Sequence, residues 1–131
     1  MHYCFRLTKG MDLKREIEEY SIHNKLSGVI LSAVGCLEQV TIRLADGHTV
    51  ITKKGMFEIV STTGTLSEDG VHIHISVADQ YGNVIGGHLK DGCIVSLTAE
   101  VVLDLFDDVK FKREFDDSTG YEELVVHKNI L

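Results

Sequence analysis

GTLSEDGVHIHISVADQYGNVIGGHL, residues Gly64 to Leu89, is the stretch from which the rest of the fold follows. Within VHIHISVA, the odd positions Val71, Ile73, Ile75 and Val77 are apolar, whereas His72, His74, Ser76 and Ala78 fall on even ones. This is the alternation of a half-buried strand with its odd face on the core. DQYGN is rich in turn formers and VIGGHL resumes an extended pattern, so the segment reads as a hairpin. With Asp79 to Asn83 as its loop, Ala78 pairs with Val84 and His74 faces His88, so three of the seven histidines converge. Ile85 and Leu89 on the return strand match the apolar face of the first and support that parity. The Gly86-Gly87 pair leaves a second register open, because a bulge there would turn His88 to the other face.

Working outward, HYCFRLT at the N-terminus alternates as a short strand, and Asp12 is a helix N-cap for Leu13, Ile17 and Tyr20, which recur at helical spacing through about Lys25. Lys14–Glu18 and Arg15–Glu19 are i, i+4 pairs on the wet face of that helix. Gly28 closes it, and GVILSAVGCL reads as a strand buried on both faces. Val40, Ile42 and Leu44 alternate up to an Asp46-Gly47 turn, and Thr49 and Ile51 follow as the return strand. Lys53-Lys54-Gly55 reads as a basic turn before a further strand, MFEIVSTTGTLSE, with Ser67 to Gly70 as the next turn. CIVSLTAEVVLDLF sets Cys93, Val95, Leu97, Ala99, Val101, Leu103 and Leu105 on one face, a long strand expected to meet another subunit. FDDVKFKREFDDSTG reads as a polar loop, and YEELVVHKNI as a last short strand. One principal helix against seven or more strands makes residues 1–131 a single α+β domain, mainly antiparallel sheet.

The totals narrow the function. With 131 residues, 44% hydrophobic and 25% charged, the chain has the composition of a globular domain. It has no run long enough to cross a membrane and no apolar core of a signal peptide at its start, and the expected location is the cytoplasm. Cys4, Cys36 and Cys93 are widely spaced in apolar stretches, which suits reduced, packed thiols. A net charge of −7 disfavours a phosphate-backbone surface.

Three neutral imidazoles from two strands would leave a fourth position open, the arrangement of catalytic zinc. Imidazoles also accept nickel, copper and iron. Alternatively, His72, His74 and His88 are the solvated face of a hairpin. Candidate catalytic partners are Glu58, Asp79 and Glu100, the last able to hold an imidazole N–H from the polar face of the long strand. No nucleophile elbow or phosphate loop is present. His2, His23, His48 and His127 have no assigned role.

GMFEIVSTTGTLS, with Gly55, Phe57, Glu58, Ile59, Ser61 and Gly64, together with VHIHISVAD and GNVIGGHL, resembles the plant- and prokaryote-conserved (PPC) domain family, and the similarity covers nearly the whole chain. The resemblance implies a homotrimer of α+β subunits. It also implies a divalent metal, zinc first, on His72, His74 and His88. The family's DNA-binding label fits plant members that carry a separate AT-hook; this sequence has no Arg-Gly-Arg core and is acidic. Three readings follow: a trimeric metal- or small-ligand-binding module, a DNA-associated regulator, and a metal-dependent hydrolase or lyase acting on a small anionic metabolite. The first is preferred.

Overall fold

The computed structural model describes residues 1–128. Its elements are β1 (His2–Thr8), α1 (Leu13–His23), β2 (Gly28–Arg43), β3 (Val50–Ser67), β4 (Gly70–Asp79), β5 (Val84–Leu89), β6 (Ile94–Leu105), β7 (Val109–Asp116) and β8 (Tyr121–Lys128). Six strands form one antiparallel sheet in the order β1-β6-β2-β3-β4-β5, and β7 and β8 form a separate hairpin. The far end of β2 pairs a second time, with β5. Strands β2, β3, β4 and β5 therefore curl into a closed ring. Each strand of that ring sends one set of alternate residues inward, which is why Val40, Ile42, Phe57, Ile59, Ile73, Ile75, Val77 and Leu89 are all buried.

Helix α1 covers this core with Leu13 and Ile17, both fully buried. Each such side chain contributes about 1.5–3 kcal/mol by leaving water. Asp12 caps the helix as its sequence position predicts, accepting from the Arg15 N–H at 3.2 Å. Its other carboxylate oxygen accepts from the Gly92 N–H at 2.7 Å, which ties the helix start to the β5–β6 connection. The helix stops at His23, short of the expected Lys25, because Lys25 itself adopts a left-handed conformation at φ 51 and turns the chain before Gly28.

Several sequence expectations are corrected. Lys53-Lys54-Gly55 is no turn: β3 runs through it in one 18-residue strand, with Lys53 opposite Val40 and Lys54 opposite Gln39. The ladder to β2 outweighs the local composition: it runs on at both sides of a register shift between Leu37 and Gln39, which Gly55 and Met56 absorb without a turn. Residues 106–120, expected as a loop, contain β7, which pairs with β8 from Val109↔Lys128 to Asp116↔Tyr121. Strand β2 is not buried on both faces, for Leu31 and Val34 are 52% and 55% exposed. Leu97 breaks the buried odd face of β6 at 73% exposed, where β2 and β6 slip register between Gly35 and Leu37. Of the cysteines only Cys93 is buried; its thiol is pushed up to about 11 by burial, while Cys4 is exposed. No helix among the described residues is long and apolar enough to cross a membrane.

Candidate metal centre

Strand β4 places His72 and His74 two residues apart on its outward face, and β5 pairs in the register counted from the loop, with Ala78 opposite Val84 and His74 opposite His88. Gly86 and Gly87 do not form a bulge. They sit where β5 passes between two neighbours: a Cβ at Gly87 would meet the Arg43 carbonyl oxygen of β2 at 2.5 Å. The glycine is therefore what lets β5 pair with β2 and close the ring.

The three imidazole rings stand 5.0, 5.3 and 5.7 Å apart between centroids. One nitrogen from each lies within 4.8 Å of the other two. His72 Nε2 and His74 Nε2 are 3.3 Å apart. A tetrahedral ion with bonds of about 2.0–2.1 Å requires ligand nitrogens about 3.3 Å apart, so this pair is already at coordination spacing. A hydrogen bond between His72 and His74 would fit the same distance, yet it leaves His88 Nδ1 buried without a partner. Three imidazoles with one nitrogen each this close together are a donor set that fits a divalent metal. Burial lowers the pKa of His72, helped by Arg113, and lowers that of His88 to about 4, helped by Arg43. Both rings are thus held in the neutral form that ligates.

The second pairing of β2 sets Arg43 directly opposite His88. On the other side, Thr65 pairs with His72 across β3 and β4, and its Oγ1 accepts from Arg113 Nη2 at 2.7 Å. Arg113 comes from β7, which the β3–β4 turn anchors: Asp69 accepts from the Arg113 N–H at 2.9 Å, and Glu68 takes Lys112 at 2.6 Å and Lys110 at 2.9 Å. A cleft of about 470 Å³ lies between the hairpin and the sheet, lined among others by Arg43, His72, His88, Arg113 and Tyr121. The arginines and Tyr121 escaped sequence reasoning. A signal for Arg113 existed, since Val109, Phe111, Arg113 and Phe115 alternate with charged residues.

The carboxylates singled out in the sequence lie elsewhere. Glu58 is exposed and opposite Ala78, four residues along β4 from His74, about 13 Å by strand rise. Asp79 holds the β4–β5 loop, accepting from the Tyr81 and Asn83 N–H groups at 2.9 Å each. Glu100 is paired with Arg6 and Val34, the latter nine residues along β2 from Arg43, roughly 30 Å of strand. None of the three lines the cleft.

Bifunctional protein GlmU from Synechococcus sp. (strain JA-3-3Ab) is 44% identical over 127 residues, which are 96% of this chain and 20% of that protein. The chain spans about a fifth of the length of this relative. A hypothetical protein from Salmonella enterica has the same fold with a TM-score of 0.93 and 31% identity, covering 99% of this chain and 95% of that one. A metal-containing protein from Archaeoglobus fulgidus matches at a TM-score of 0.72 and 26% identity, covering 95% of this chain and 93% of that one. The profile of the Plants and Prokaryotes Conserved (PCC) domain, also written PPC, matches residues 1–107. By that match, and with an alternating histidine hairpin and a capped helix inside it, the chain belongs to the PPC domain family.

Proposed function

We propose that this protein is a metal-binding module in which His72, His74 and His88 hold one divalent ion, zinc by preference, beside a cleft for a small anionic ligand. The observation that carries the reading is the set of three imidazole nitrogens within 4.8 Å, one pair at 3.3 Å and His88 Nδ1 without any partner. The metal-containing archaeal protein of the same fold supports it. A bound ion there supplies Lewis-acid chemistry with an open coordination position. The chain's own residues do the rest: β4 and β5 fix the imidazoles on rigid strands, and the hairpin shields one side of the cleft. Hydrolysis or elimination on a small anion is the enzymatic extension of the same site.

Self-association as a homotrimer belongs to the proposal. Leu31, Val34, Val60 and Leu97 are all more than half exposed on the adjacent strands β2, β3 and β6. Apolar residues of that kind favour a second copy over water. A cytoplasmic location is proposed with it. A DNA-associated role would require a basic surface, which a net charge of −7 does not favour.

Elemental analysis of the untagged protein beside a His72→Ala/His74→Ala/His88→Ala variant, each with its oligomeric mass measured by light scattering, tests the reading. The expected result is about one metal per chain in the wild type, none in a still-assembled variant, and a trimer mass for both. No metal in the wild type after reconstitution with zinc would overturn the metal centre, and a monomer mass would overturn the assembly.

A further inference from the structure

The three imidazoles are flanked from two sides by guanidinium groups, those of Arg43 and Arg113, that form no ion pair with a carboxylate among the described residues. Arg43 stands beside His88 through the β2–β5 pairing, and Arg113 stands beside His72 through Thr65. The ion pairs of the described residues involve other basic groups, and neither arginine has one. Arg43 Nε is buried with no hydrogen-bond partner, while its guanidinium lies over the Tyr121 ring at 5.9 Å from the centroid. A half-buried guanidinium without an ion-pair partner keeps its donors available, and two of them lining one cleft offer those donors to a ligand anion. Of the carboxylates at the cleft, Glu18 is engaged by the Val71 N–H and Lys14, and Asp69 by the Arg113 N–H. Glu122 also lines the cleft, Glu123 offsets part of the Arg113 charge and Asp46 part of the Arg43 charge, in each case without an ion pair to the arginine.

The number of receptors selects the ligand. The open position beside the histidines, the Arg43 fork and the Arg113 fork are three separate groups that come from different strands. A carboxylate offers two oxygens and a phosphodiester two terminal oxygens, whereas a phosphate monoester offers three, one for each. We propose that this cleft binds a terminal phosphate monoester of a small metabolite, with Arg43 and Arg113 each taking one oxygen and the third directed at the imidazole trio. The β7–β8 hairpin, which lies beyond residues 1–107 of the family profile match, supplies Arg113 and Tyr121 to the histidine site.

The inference rests on the metal reading, and the experiment separates the two. Metal content is measured first on wild type, Arg43→Gln and Arg113→Gln after reconstitution with zinc, and each is then titrated calorimetrically with methyl phosphate, dimethyl phosphate and acetate. The expected result is equal metal content in all three proteins, with one methyl phosphate bound per chain in the wild type. Dimethyl phosphate and acetate should bind at least about tenfold more weakly, and each arginine variant should lose about tenfold or more in methyl phosphate affinity. Metal uptake without arginine-dependent phosphate binding overturns the inference and leaves the metal centre standing. If zinc is not taken up, the metal reading fails, and the metal-free titration decides the rest: binding that needs both arginines upholds the phosphate site, and its absence removes it.

Discussion

Replacing Gly87 by alanine tests how the fold builds the site. A Cβ at this position would lie 2.5 Å from the Arg43 carbonyl oxygen and 3.4 Å from Ile42 Cβ. An ordinary carbon–oxygen contact is about 3.3 Å or longer, so β5 must withdraw from β2 by roughly 0.8 Å. The junction that has to give is short: Ile42↔Leu89 and Arg43↔His88, plus the Lys90 N–H donating to the Thr41 carbonyl at 3.2 Å. Forced overpacking of this size costs about 1–3 kcal/mol. At about 3–5 °C of melting temperature per kcal/mol for a chain of this length, the metal-free variant should melt about 3–15 °C below wild type. The same movement carries His88 away from His72 and His74 by several times the tolerance of about 0.2 Å in a metal–ligand bond. Zinc affinity, read by competition with a chromophoric chelator, should therefore fall by about ten- to a hundredfold. Gly55→Ala is the control. Its Cβ meets nothing nearer than Phe57 Cε2 at 3.4 Å, and stability should stay level or rise by about 0.5 kcal/mol. A Gly87→Ala protein with wild-type melting temperature and wild-type zinc affinity would refute the idea that this close approach closes the ring and places His88.

Two further perturbations bear on the hairpin and the assembly. Lys112, with Lys110, lowers the pKa of Glu68 to about 2, so the stabilisation from that cluster is complete above the usual carboxylate value near 4.5 and disappears as pH falls toward 2. The melting-temperature gap between wild type and Glu68→Gln should be widest above pH 5 and vanish near pH 2, and a gap independent of pH would count against the anchor. Leu97→Glu places a charge on a residue that is 73% exposed in the isolated chain. It should leave the fold of each subunit intact by circular dichroism while lowering the mass in light scattering, and an unchanged assembly would remove Leu97 from the interface.

The histidine hairpin was readable in the sequence because its information is local. Ala78↔Val84 and His74↔His88 follow from counting outward from a five-residue loop, and the apolar parity of Ile73, Ile75, Ile85 and Leu89 favours that register over the one a bulge at Gly86-Gly87 would give. Arg43 was invisible for the opposite reason. Its neighbour His88 lies 45 positions later, and the two meet only because β2 pairs at its far end with β5 after the ring closes. Composition misled at Lys53-Lys54-Gly55 and at β7, where charged residues suggested a turn and a loop. At β7, Phe111 and Arg113 alternate with Lys110, Lys112 and Glu114, and the two lysines are charged because they meet Glu68 of the β3–β4 turn, a partner some forty positions away. The exposed Leu97 inside an otherwise buried odd face was equally hidden, because the parity of β6 holds while the β2 partner slips register beside it.

X-ray absorption at the metal edge of the reconstituted, assembled protein tests the central claim most directly. The account predicts one ion per chain with three imidazole nitrogens at about 2.0–2.1 Å and a light-atom ligand in the remaining position, a signature lost in His74→Ala. A spectrum with sulfur at about 2.3 Å, or with fewer than three imidazoles, would contradict it and return His72, His74 and His88 to the role of a polar hairpin face.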